Sequence, residues 1–581
     1  MSQSIHEIHE VSSLSPTDEQ TAEKTISIAE YLLTRLAEAG VRHMFGVPGD
    51  FNLWFLEKTV QDERIEFTGC CNELNASYAA DGCARLAGIS ALAITYGAGE
   101  LASLSGLAGA YAERVPIVCI NGAPPLYAVK ERARLHHSLA DGNFDNMMAC
   151  YREFTVAHTR VEPLRAREEI DRVLRACVLE KRPVYLQLPC DVAAVRVPAI
   201  TAPLDLDPPA SDPGQLEHAV KRITERLLQA HSPALLVDVD ADRFGLTEVL
   251  VKLAEACVIP MAYLIPAKGV LDDTHPLVLG MYRGAASAEK VKEAIEGSDC
   301  LICIGARFTD VSSGYFSQSL REELLIDVRP YSVKLDGETL SGVQSKELLV
   351  GLLLASPSGI ASLSEPSHTP PQQTPFQVGK PLTQTSFWQH MGGYLRPGDV
   401  VSADIGTCFF GSVGLQFPEN VTFVAQPIWA SIGYSLPALL GSCLAAPERR
   451  QILFIGDGAF QVTAQELSSL LRRNLKPIIF LINNDGYTME QLIYGADSIY
   501  NDIQPWRYSQ LPAVFGAASA STSHVVATED ELERALHAAQ YADTLTFIEV
   551  VLPRMDAPEP LLRFSKKAAA FDLPKVYQEI D

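Results

Sequence analysis

The stretch GDGAFQVTAQELSSLLRRNLKPIIFLINNDG, residues 456–486, decides the fold of the last third of this 581-residue chain. The apolar run QILFIG ends at its first residue and PIIFLIN lies within it. Both runs predict buried strands, and AFQVTAQELSSLLRRN between them predicts a helix. Strands joined by such a helix run parallel, so their carboxyl ends meet at one edge of the sheet, where ligands bind. Asp457 follows the first strand and Asn484 follows the second, and we expect both side chains at that edge.

These residues suit a site for magnesium and a diphosphate. An aspartate, an asparagine side-chain carbonyl and the backbone carbonyl of Gly486 are hard oxygen ligands of the kind that Mg²⁺ takes, with phosphates and water completing the octahedron. Gly456 and Gly458 let the backbone approach a phosphate closely, and the N-terminus of the following helix stabilises negative charge. The alternative is that GDG and NNDG are ordinary turns, as a lone GDG usually is. Their positions after consecutive buried strands favour the ligand site.

The same alternation of strands and helices recurs along the chain and predicts three α/β domains, each a mostly parallel sheet with helices on both faces. Two stretches without helical or strand periodicity, at 200–215 and 356–375, are rich in Pro with Asp or Ser and read as linkers. The predicted bounds are a disordered N-terminal extension at 1–24, a first domain at 25–195, a linker at 196–214, a middle domain at 215–350, a linker at 351–379, a third domain at 380–560 and a C-terminal segment at 561–581.

Composition restricts the class of partner and the compartment. The net charge of −24 argues against nucleic acid and against an anionic membrane as partners. The first residues lack the basic and apolar regions of a signal peptide, and the chain has no apolar run long enough to span a membrane. Twelve cysteines stand at irregular spacing, which predicts neither a disulfide framework nor a zinc site. We therefore expect a soluble, cytoplasmic protein.

From about residue 25 to 560 the chain resembles the thiamine-diphosphate-dependent 2-oxo acid decarboxylases of the pyruvate decarboxylase and indolepyruvate decarboxylase type. The segments that carry the resemblance are GVPGDFN, CNELNASYAADGCARL, GAGELASLSGLAGAYAERVP, HHSLADGNF, QPIWASIGYSLPA and NNDGYTMEQLIYGADSIYNDIQPW. The resemblance implies non-oxidative decarboxylation of a 2-oxo acid, either pyruvate or a larger aliphatic or aromatic homologue, to the aldehyde through an enamine, with thiamine diphosphate and Mg²⁺ as cofactors. It also implies that the first domain binds the aminopyrimidine and the third the diphosphate. The two halves of one site then belong to different subunits of at least a dimer, with a tetramer as the expected assembly.

The resemblance assigns acid–base roles to five residues. Glu73 matches the glutamate that tautomerises the aminopyrimidine, and its apolar helix neighbours predict a raised pKa, although it could be an ordinary helix-cap residue. Asp50, His136, His137 and Glu490 match the further polar residues of the decarboxylases, a relay that protonates the intermediate and releases the aldehyde. Taken singly, Asp50 could merely cap a helix, and the two histidines could be surface residues.

Further residues are expected to contact the cofactor and the substrate. The resemblance places Thr95 and the carbonyl of Ala430 at the cofactor, and it gives Ile432 the role of the bulky side chain that bends the cofactor into its reactive conformation. An isoleucine in an apolar run is otherwise more often a core residue. The substrate pocket is expected to be lined by four apolar side chains, Ile405, Phe409, Met489 and Ile493.

These pocket residues do not identify the substrate. Phe409 narrows the pocket, whereas the flexible Met489 adapts to larger groups. Ile405 departs from the Thr or Gln that relatives usually carry, and this removes a hydrogen-bonding group near the cofactor. A carboligase that uses the same enamine to form acyloins or 2-hydroxy-3-oxo acids is therefore the alternative. A non-catalytic relative is disfavoured because Glu73, Asp457 and Asn484 are all present, and a nucleotide-binding protein is disfavoured because neither GxGxxG nor a Walker loop follows a strand.

Overall fold

The computed structural model describes residues 24–355 and 374–572. The predicted N-terminal extension, most of the Ser/Pro-rich linker and the end of the chain, at 1–23, 356–373 and 573–581, lie outside the described residues. The described part contains three open sheets flanked by helices and one short antiparallel ribbon. The predicted three-domain α/β fold is confirmed.

The first sheet has six parallel strands in the order β3-β2-β4-β5-β7-β6, and β4 and β5 are buried along their whole length, as strands covered on both faces must be. The strands of this region, including the ribbon of β1 with β8, are β1 Thr25–Ser27, β2 His43–Gly46, β3 Glu66–Gly69, β4 Ser90–Thr95, β5 Ile117–Ala123, β6 Ala157–Arg160, β7 Val184–Pro189 and β8 Arg196–Pro198. The helices are α1 Ile28–Glu38, α2 Leu53–Val60, α3 Glu73–Ala87, α4 Ala98–Ala112, α5 Leu126–Lys130, α6 Asn146–Arg152, α7 Ala166–Glu180 and α8 Cys190–Ala193.

The middle sheet has seven strands in the order β11-β10-β9-β12-β13-β14-β15, of which the last two pairings are antiparallel. Its strands are β9 Pro233–Val237, β10 Met261–Tyr263, β11 Val278–Met281, β12 Cys300–Ile304, β13 Leu325–Arg329, β14 Ser332–Leu335 and β15 Glu338–Ser341. Its helices are α9 Pro213–Gln229, α10 Asp240–Arg243, α11 Thr247–Cys257, α12 Glu289–Glu296, α13 Asp310–Ser313 and α14 Ser345–Ala355.

The third sheet repeats the plan of the first, with six parallel strands in the order β17-β16-β18-β19-β21-β20. In both sheets the chain first adds a strand on one side and then crosses to the other, so the switch point where ligands bind lies beside the first strand of each sheet. The strands are β16 Val400–Ala403, β17 Thr422–Val424, β18 Gln451–Gly456, β19 Ile478–Asn483, β20 Ser521–Val526 and β21 Leu545–Val551. The helices are α15 Gln384–Tyr394, α16 Thr407–Val413, α17 Ser435–Ala445, α18 Asp457–Thr463, α19 Leu467–Arg472, α20 Thr488–Ile493, α21 Leu511–Phe515, α22 Glu529–Gln540 and α23 Glu559–Asp572.

The structure differs from the sequence prediction at several element ends. The single helix predicted between β18 and β19 is broken into α18 and α19, because the chain tightens at Ala464–Glu466. There the buried Glu466 carboxylate accepts hydrogen bonds from the Cys71 backbone N–H at 3.1 Å and from the Asn75 amide at 2.8 Å. These partners lie in the first domain, so the hydrophobic periodicity around Glu466 could not predict the break. Elsewhere β8 lies inside the predicted first linker, and α14 and α23 run past the predicted bounds at 350 and 560.

Close packing of α3 against α17 joins the first domain to the third. Gly82 and Gly441 allow this approach, because a Cβ at Gly82 would lie 2.1 Å from the Ala438 carbonyl oxygen and one at Gly441 would lie 1.9 Å from that of Ala79. The two helices share one apolar cluster with the strands of both sheets, which sets the relative position of the two domains. Within the described ranges, no helix combines the length and the apolar character needed to cross a bilayer.

Candidate active site

A cleft opens at the carboxyl edge of the third sheet. Its walls come from the turns after β16, β18 and β19, the switch point and its neighbouring strand ends. Nine of the residues that the sequence assigned to the cofactor, metal, acid–base or substrate sites line this cleft: Ile405, Ile432, Gly456, Asp457, Gly458, Asn484, Gly486, Met489 and Glu490. Thus residues far apart in the sequence meet at one place.

Asp457 lies at the first position of α18, and its side chain is buried. Its carboxylate accepts the backbone N–H of Gly458 at 2.7 Å and that of Gly486 at 3.3 Å, so it ties the two glycine-containing turns together. Burial raises the pKa of Asp457 to about 6, because desolvation outweighs these hydrogen bonds. A buried carboxylate without a cationic side-chain partner is suited to a divalent cation.

Asn484 and Gly486 complete the metal-ligating set expected from the sequence. The Asn484 amide donates to Thr488 Oγ1 at 2.7 Å, which fixes its orientation and leaves the amide oxygen for a ligand. Gly486 has φ +129°, and a Cβ there would lie 2.7 Å from the Asn501 carbonyl oxygen, so no other residue fits this turn. A Cβ at Gly456 or Gly406 would meet no heavy atom within 4 Å. The backbone therefore borders open space where a ligand could lie against it.

The expected wedge residue Ile432 lies between two anchored segments. Asp404, buried after β16, accepts the N–H groups of Gly433 and Ser435 at 3.1 and 3.0 Å and the Ser435 hydroxyl at 2.6 Å. On the other side, the buried Glu113 carboxylate accepts the N–H groups just before Ala430, at 2.7 and 3.2 Å. Ala430 itself is exposed and adopts a left-handed φ of +55°. Contacts from two domains thus hold the Ile432 loop.

The expected substrate residues separate into two groups. Ile405 and Met489 line the cleft, whereas Phe409 and Ile493 are not among the residues that border it. Phe409 is buried on α16 and its ring stacks on that of Phe423, with centroids 6.2 Å apart. Ile405, Phe409 and Met489 nevertheless belong to one apolar cluster. Phe409 lies behind the wall of the cleft rather than on its surface.

Glu490 faces the same cleft from α20. Its side chain is exposed to the opening, yet the protein around it raises its pKa by desolvation. The cleft thus contains two acids, Asp457 and Glu490, whose pKa values are both raised by desolvation.

A second group of expected residues gathers at the carboxyl edge of the first sheet. His136 Nε2 lies 2.8 Å from Asp50 Oδ2, and the His136 ring stacks on Phe51 with centroids 5.1 Å apart. The rings of His136 and His137 have centroids 4.8 Å apart, and His137 has a left-handed φ of +59°. All three ionisable side chains are exposed. They bring together three of the four residues of the predicted relay, on a surface open to a partner or ligand, whereas the fourth, Glu490, lies at the third-domain cleft.

Glu73 and Thr95 lie at the same edge. Glu73 is the first residue of α3 and is half-buried, after Asn72, whose side chain caps the helix by accepting the Asn75 N–H at 2.8 Å. A Cβ at Gly99 would lie 3.0 Å from Glu73 Oε1 and 3.4 Å from Thr95 Cγ2, so both side chains flank the start of α4. The Thr95 hydroxyl is buried without a hydrogen-bond partner among the described residues. Such an unpaired hydroxyl is available to a ligand.

Comparison with known proteins identifies the family. Models of the thiamine pyrophosphate enzymes match the chain in three places: the N-terminal TPP binding domain at residues 26–147, the central domain at 220–340 and the C-terminal TPP binding domain at 404–550. The chain is 41% identical over 571 residues to the alpha-keto-acid decarboxylase of Mycolicibacterium paratuberculosis, across 96% of this chain and 100% of that protein. It is 42% identical over 541 residues to that of Mycobacterium tuberculosis and 40% over 560 residues to that of Mycobacterium leprae, covering 92% and 96% of this chain and 96% and 98% of those proteins.

The chain belongs to the thiamine-pyrophosphate-dependent 2-oxo acid decarboxylases. The predicted family and reaction class are confirmed.

The decarboxylase contains site residues that the sequence reasoning missed. Asp404 follows β16 in the way that Asp457 follows β18, so its position after a buried strand was a usable signal. Thr488, which orients Asn484, and Tyr487, which lines the cleft, lie within the quoted NNDGYTME segment. Glu113 also lies within a quoted segment, GAGELASLSGLAGAYAERVP, but its role gave no local signal, because its partners Ile428 and Trp429 lie more than 300 residues away in another domain.

Proposed function

We propose that the decarboxylase is active as at least a dimer and requires Mg²⁺, with each active site formed by the third-domain cleft of one protomer and the first-domain edge of its partner. One observation carries this proposal. The residues that border the cleft all come from the third domain, while Glu73, Thr95 and the Asp50–His136–His137 group lie at the edge of the other sheet. The third-domain half therefore has the expected metal ligands but lacks Glu73 and the histidines, and the first-domain half has Glu73 and the histidines but lacks the metal ligands.

Exposed apolar side chains beside both halves support the pairing. Leu53, at the start of α2, and Leu101, in the first turn of α4, are 53% and 52% exposed next to the first-domain group. Trp429 and Val462 are 39% and 41% exposed beside the third-domain cleft. Large apolar groups left in water around a functional edge are typical of a protein interface. A tetramer built from two such dimers remains our expectation.

The residues of the third-domain cleft fit a magnesium diphosphate. Asp457, Asn484 and the Gly486 carbonyl would ligate the metal, which supplies the positive charge that the buried Asp457 carboxylate lacks. The open space beside Gly456 and Gly406 would accommodate the phosphates. Ile432 and the Ala430 carbonyl would support the middle of the cofactor, and Thr95 of the second protomer its far end.

The bound thiamine diphosphate supplies the electron sink that makes loss of CO₂ possible. In our proposal Glu73 gives a proton to the aminopyrimidine and takes it back. Glu490 in its neutral form lies beside the substrate carboxylate and avoids like-charge repulsion. His136 and His137 transfer the proton that product formation and release require. Asp50, whose Oδ2 lies 2.8 Å from His136 Nε2, keeps His136 in place.

Subunit complementation tests the shared site. Glu73→Gln and Asp457→Ala are each expected to be inactive, but co-expression of the two would pair an intact Glu73 with an intact Asp457 in one site of every mixed dimer. Random pairing makes half of the dimers mixed, and half of the sites in those are complete, so about a quarter of the wild-type activity should return. The measurement is the specific activity of the co-expressed proteins against each variant alone.

The control is co-expression of Glu73→Gln with a second, differently tagged copy of Glu73→Gln, in which no complete site can form. If the mixed preparation of Glu73→Gln and Asp457→Ala remained as inactive as this control, while tag pulldown proved that mixed dimers exist, both groups would have to act within one chain, and the shared site would be rejected.

We expect ionisation of Glu490 to produce the alkaline limb of the pH profile of kcat/KM. Because desolvation raises the pKa of Glu490, its neutral form persists to higher pH than that of an ordinary glutamate. As the pH rises through that pKa the carboxylate forms opposite the substrate carboxylate, so kcat/KM should fall. Glu490→Gln, which stays neutral, should have a lower maximum but should lose this limb. Equal alkaline limbs in the wild type and the variant would contradict the role of Glu490.

The walls of the cleft favour small aliphatic 2-oxo acids. Ile405 and Met489 are apolar and lie in one cluster with the bulky Phe409 behind them, so an arylpyruvate would have to displace them. We expect kcat/KM to decrease in the order pyruvate and branched aliphatic 2-oxo acids, phenylpyruvate, indolepyruvate. Measurement of kcat/KM for each of these acids, with Mg²⁺ and cofactor added, tests this order. A preference for indolepyruvate would contradict the proposed selectivity. Product analysis with pyruvate alone separates decarboxylation, which yields acetaldehyde, from carboligation, which yields acyloins.

We also propose a cytoplasmic location. The twelve cysteines stand at irregular spacing, which does not match a disulfide framework of a secreted protein.

A further inference from the structure

A buried carboxyl group with no part in the proposed chemistry lies directly behind the first-domain half of the site. Glu100, in the first turn of α4, is fully buried. Its Oε2 accepts the N–H of Gly97 at 2.7 Å, and its Oε1 accepts the Asn121 amide at 2.7 Å and the Tyr185 hydroxyl. These donors stabilise the charged form, while burial raises the pKa of Glu100 to about 7. A buried acid of this kind is costly unless its bonds serve a purpose.

The first effect of these bonds is on the turn at Gly97. Gly97 has φ +69° and ψ −91°, a conformation that needs external support in any case. A Cβ at Gly97 would lie 1.8 Å from the carbonyl oxygen of His137, so the turn is in direct contact with the loop that carries the two histidines. Glu100 thereby fixes one contact point of that loop.

The same network reaches the far end of the loop. The Tyr185 hydroxyl that donates to Glu100 accepts from the Gln187 amide at 3.0 Å, and Gln187 in turn accepts from Arg160 Nε at 2.6 Å. Arg160 Nη2 donates to the Phe144 carbonyl at 2.6 Å and to the Asp145 carboxylate at 2.9 Å. Phe144 and Asp145 end the segment between α5 and α6 that contains His136 and His137. Tyr185 and Gln187 are buried along the way.

We infer that the chain Glu100–Tyr185–Gln187–Arg160 is a positioning device, which holds the histidine loop at His137 and at its C-terminal end so that His136 and His137 stay at a defined distance from the reacting atoms. The inference rests on the proposed catalytic role of these histidines. None of the four residues needs to touch substrate or cofactor. Their effect follows because a displacement of about 1 Å at a proton-transfer group can cost up to a hundredfold in rate.

The test compares the two ends of the network. Glu100→Gln retains shape but offers only one acceptor oxygen, so it cannot serve Gly97 and the Asn121–Tyr185 pair together. Arg160→Ala removes the opposite end and, because Arg160 is partly exposed, is the milder change for folding. Each variant should lower kcat about tenfold or more while KM for the substrate and the thermal stabilisation by added cofactor change little. The double variant should lose less than the product of the two effects, because both act through one loop.

Two controls make the outcome decisive. Tyr31→Phe removes a buried hydroxyl of the same domain that donates to Asp171 at 2.8 Å, away from the histidine loop, and should reduce stability without changing kcat. His136→Ala should reduce kcat if the histidine role is right. Should His136→Ala reduce kcat while Arg160→Ala leaves it within about twofold of wild type, the positioning role is rejected and the proposed function stands. If His136→Ala had no effect on kcat, the histidine role and this inference would both fail.

Discussion

Replacing Glu73 by glutamine should reduce kcat by about two to four orders of magnitude, because the variant keeps the hydrogen-bonding shape but cannot exchange the proton that activates the cofactor. The residue is half-buried at the first position of α3 and makes no ion pair among the described side chains. Loss of its charge should therefore cost less than about 1 kcal/mol of unfolding free energy, the usual scale of a helix N-terminal charge. Steady-state kinetics and urea unfolding measure the two quantities on the same preparation.

The matched control is Glu57→Gln on α2, an exposed glutamate of the same domain whose carboxylate accepts from the Gln61 side-chain amide. It should leave kcat unchanged. Near-normal turnover by Glu73→Gln, with intact cofactor binding, would show that another group activates the cofactor and would remove the basis for the shared site.

Asp457→Ala is expected to abolish retention of the cofactor. The substitution removes the acceptor that ties Gly458 to Gly486 and the charge that a metal would neutralise. Wild-type protein at a hundredfold excess of ligand over Kd should gain about 2.7 kcal/mol of stability from Mg²⁺ and thiamine diphosphate, whereas the variant should gain almost none. Thermal unfolding with and without both ligands, and the cofactor content after desalting, test this directly.

Asp485→Asn is the appropriate comparison, because Asp485 is exposed, stands in the same turn with φ +58°, and asparagine tolerates that conformation. This variant should retain the ligand-dependent stabilisation. A cofactor-induced shift in Asp457→Ala equal to that of the wild type would place the metal and diphosphate elsewhere.

The sequence predicted Asp457, Asn484 and the glycines of the third-domain cleft because they follow buried parallel strands, whereas Ile405, Ile432, Met489 and Glu490 were predicted by resemblance. Strand ends on one edge of such a sheet must meet, so Asp457 and Asn484 could be paired from a local pattern alone. The relay of Asp50, His136 and His137 was accessible only through resemblance, since a histidine pair in a loop carries no periodicity. Its 2.8 Å contact depends on the loop after α5 folding back over the turn after β2.

The hydrogen-bond network of Glu100, Tyr185, Gln187 and Arg160 behind that loop could not be predicted from local sequence patterns. Nothing near Glu100 indicates that its partners are Asn121 and Tyr185, which stand on separate strands brought together by sheet order. The break in the helix after β18 has the same origin, because the partners of Glu466 come from the first domain. Phe409 was predicted at the pocket surface but lies behind it, since the direction of a side chain on a short helix depends on what packs around that helix.

The amino-acid sequence by itself determined the three-domain α/β fold, because hydrophobic periodicity acts over a few neighbouring residues. Its motifs identified the family by resemblance, and the glycine-containing strand ends predicted the edge of the sheet for a ligand. Only the tertiary structure decided which residues border the cleft and which buried groups support the histidine loop. Those features arise from contacts between residues that are up to hundreds of positions apart. Their geometry depends on how helices and sheets pack.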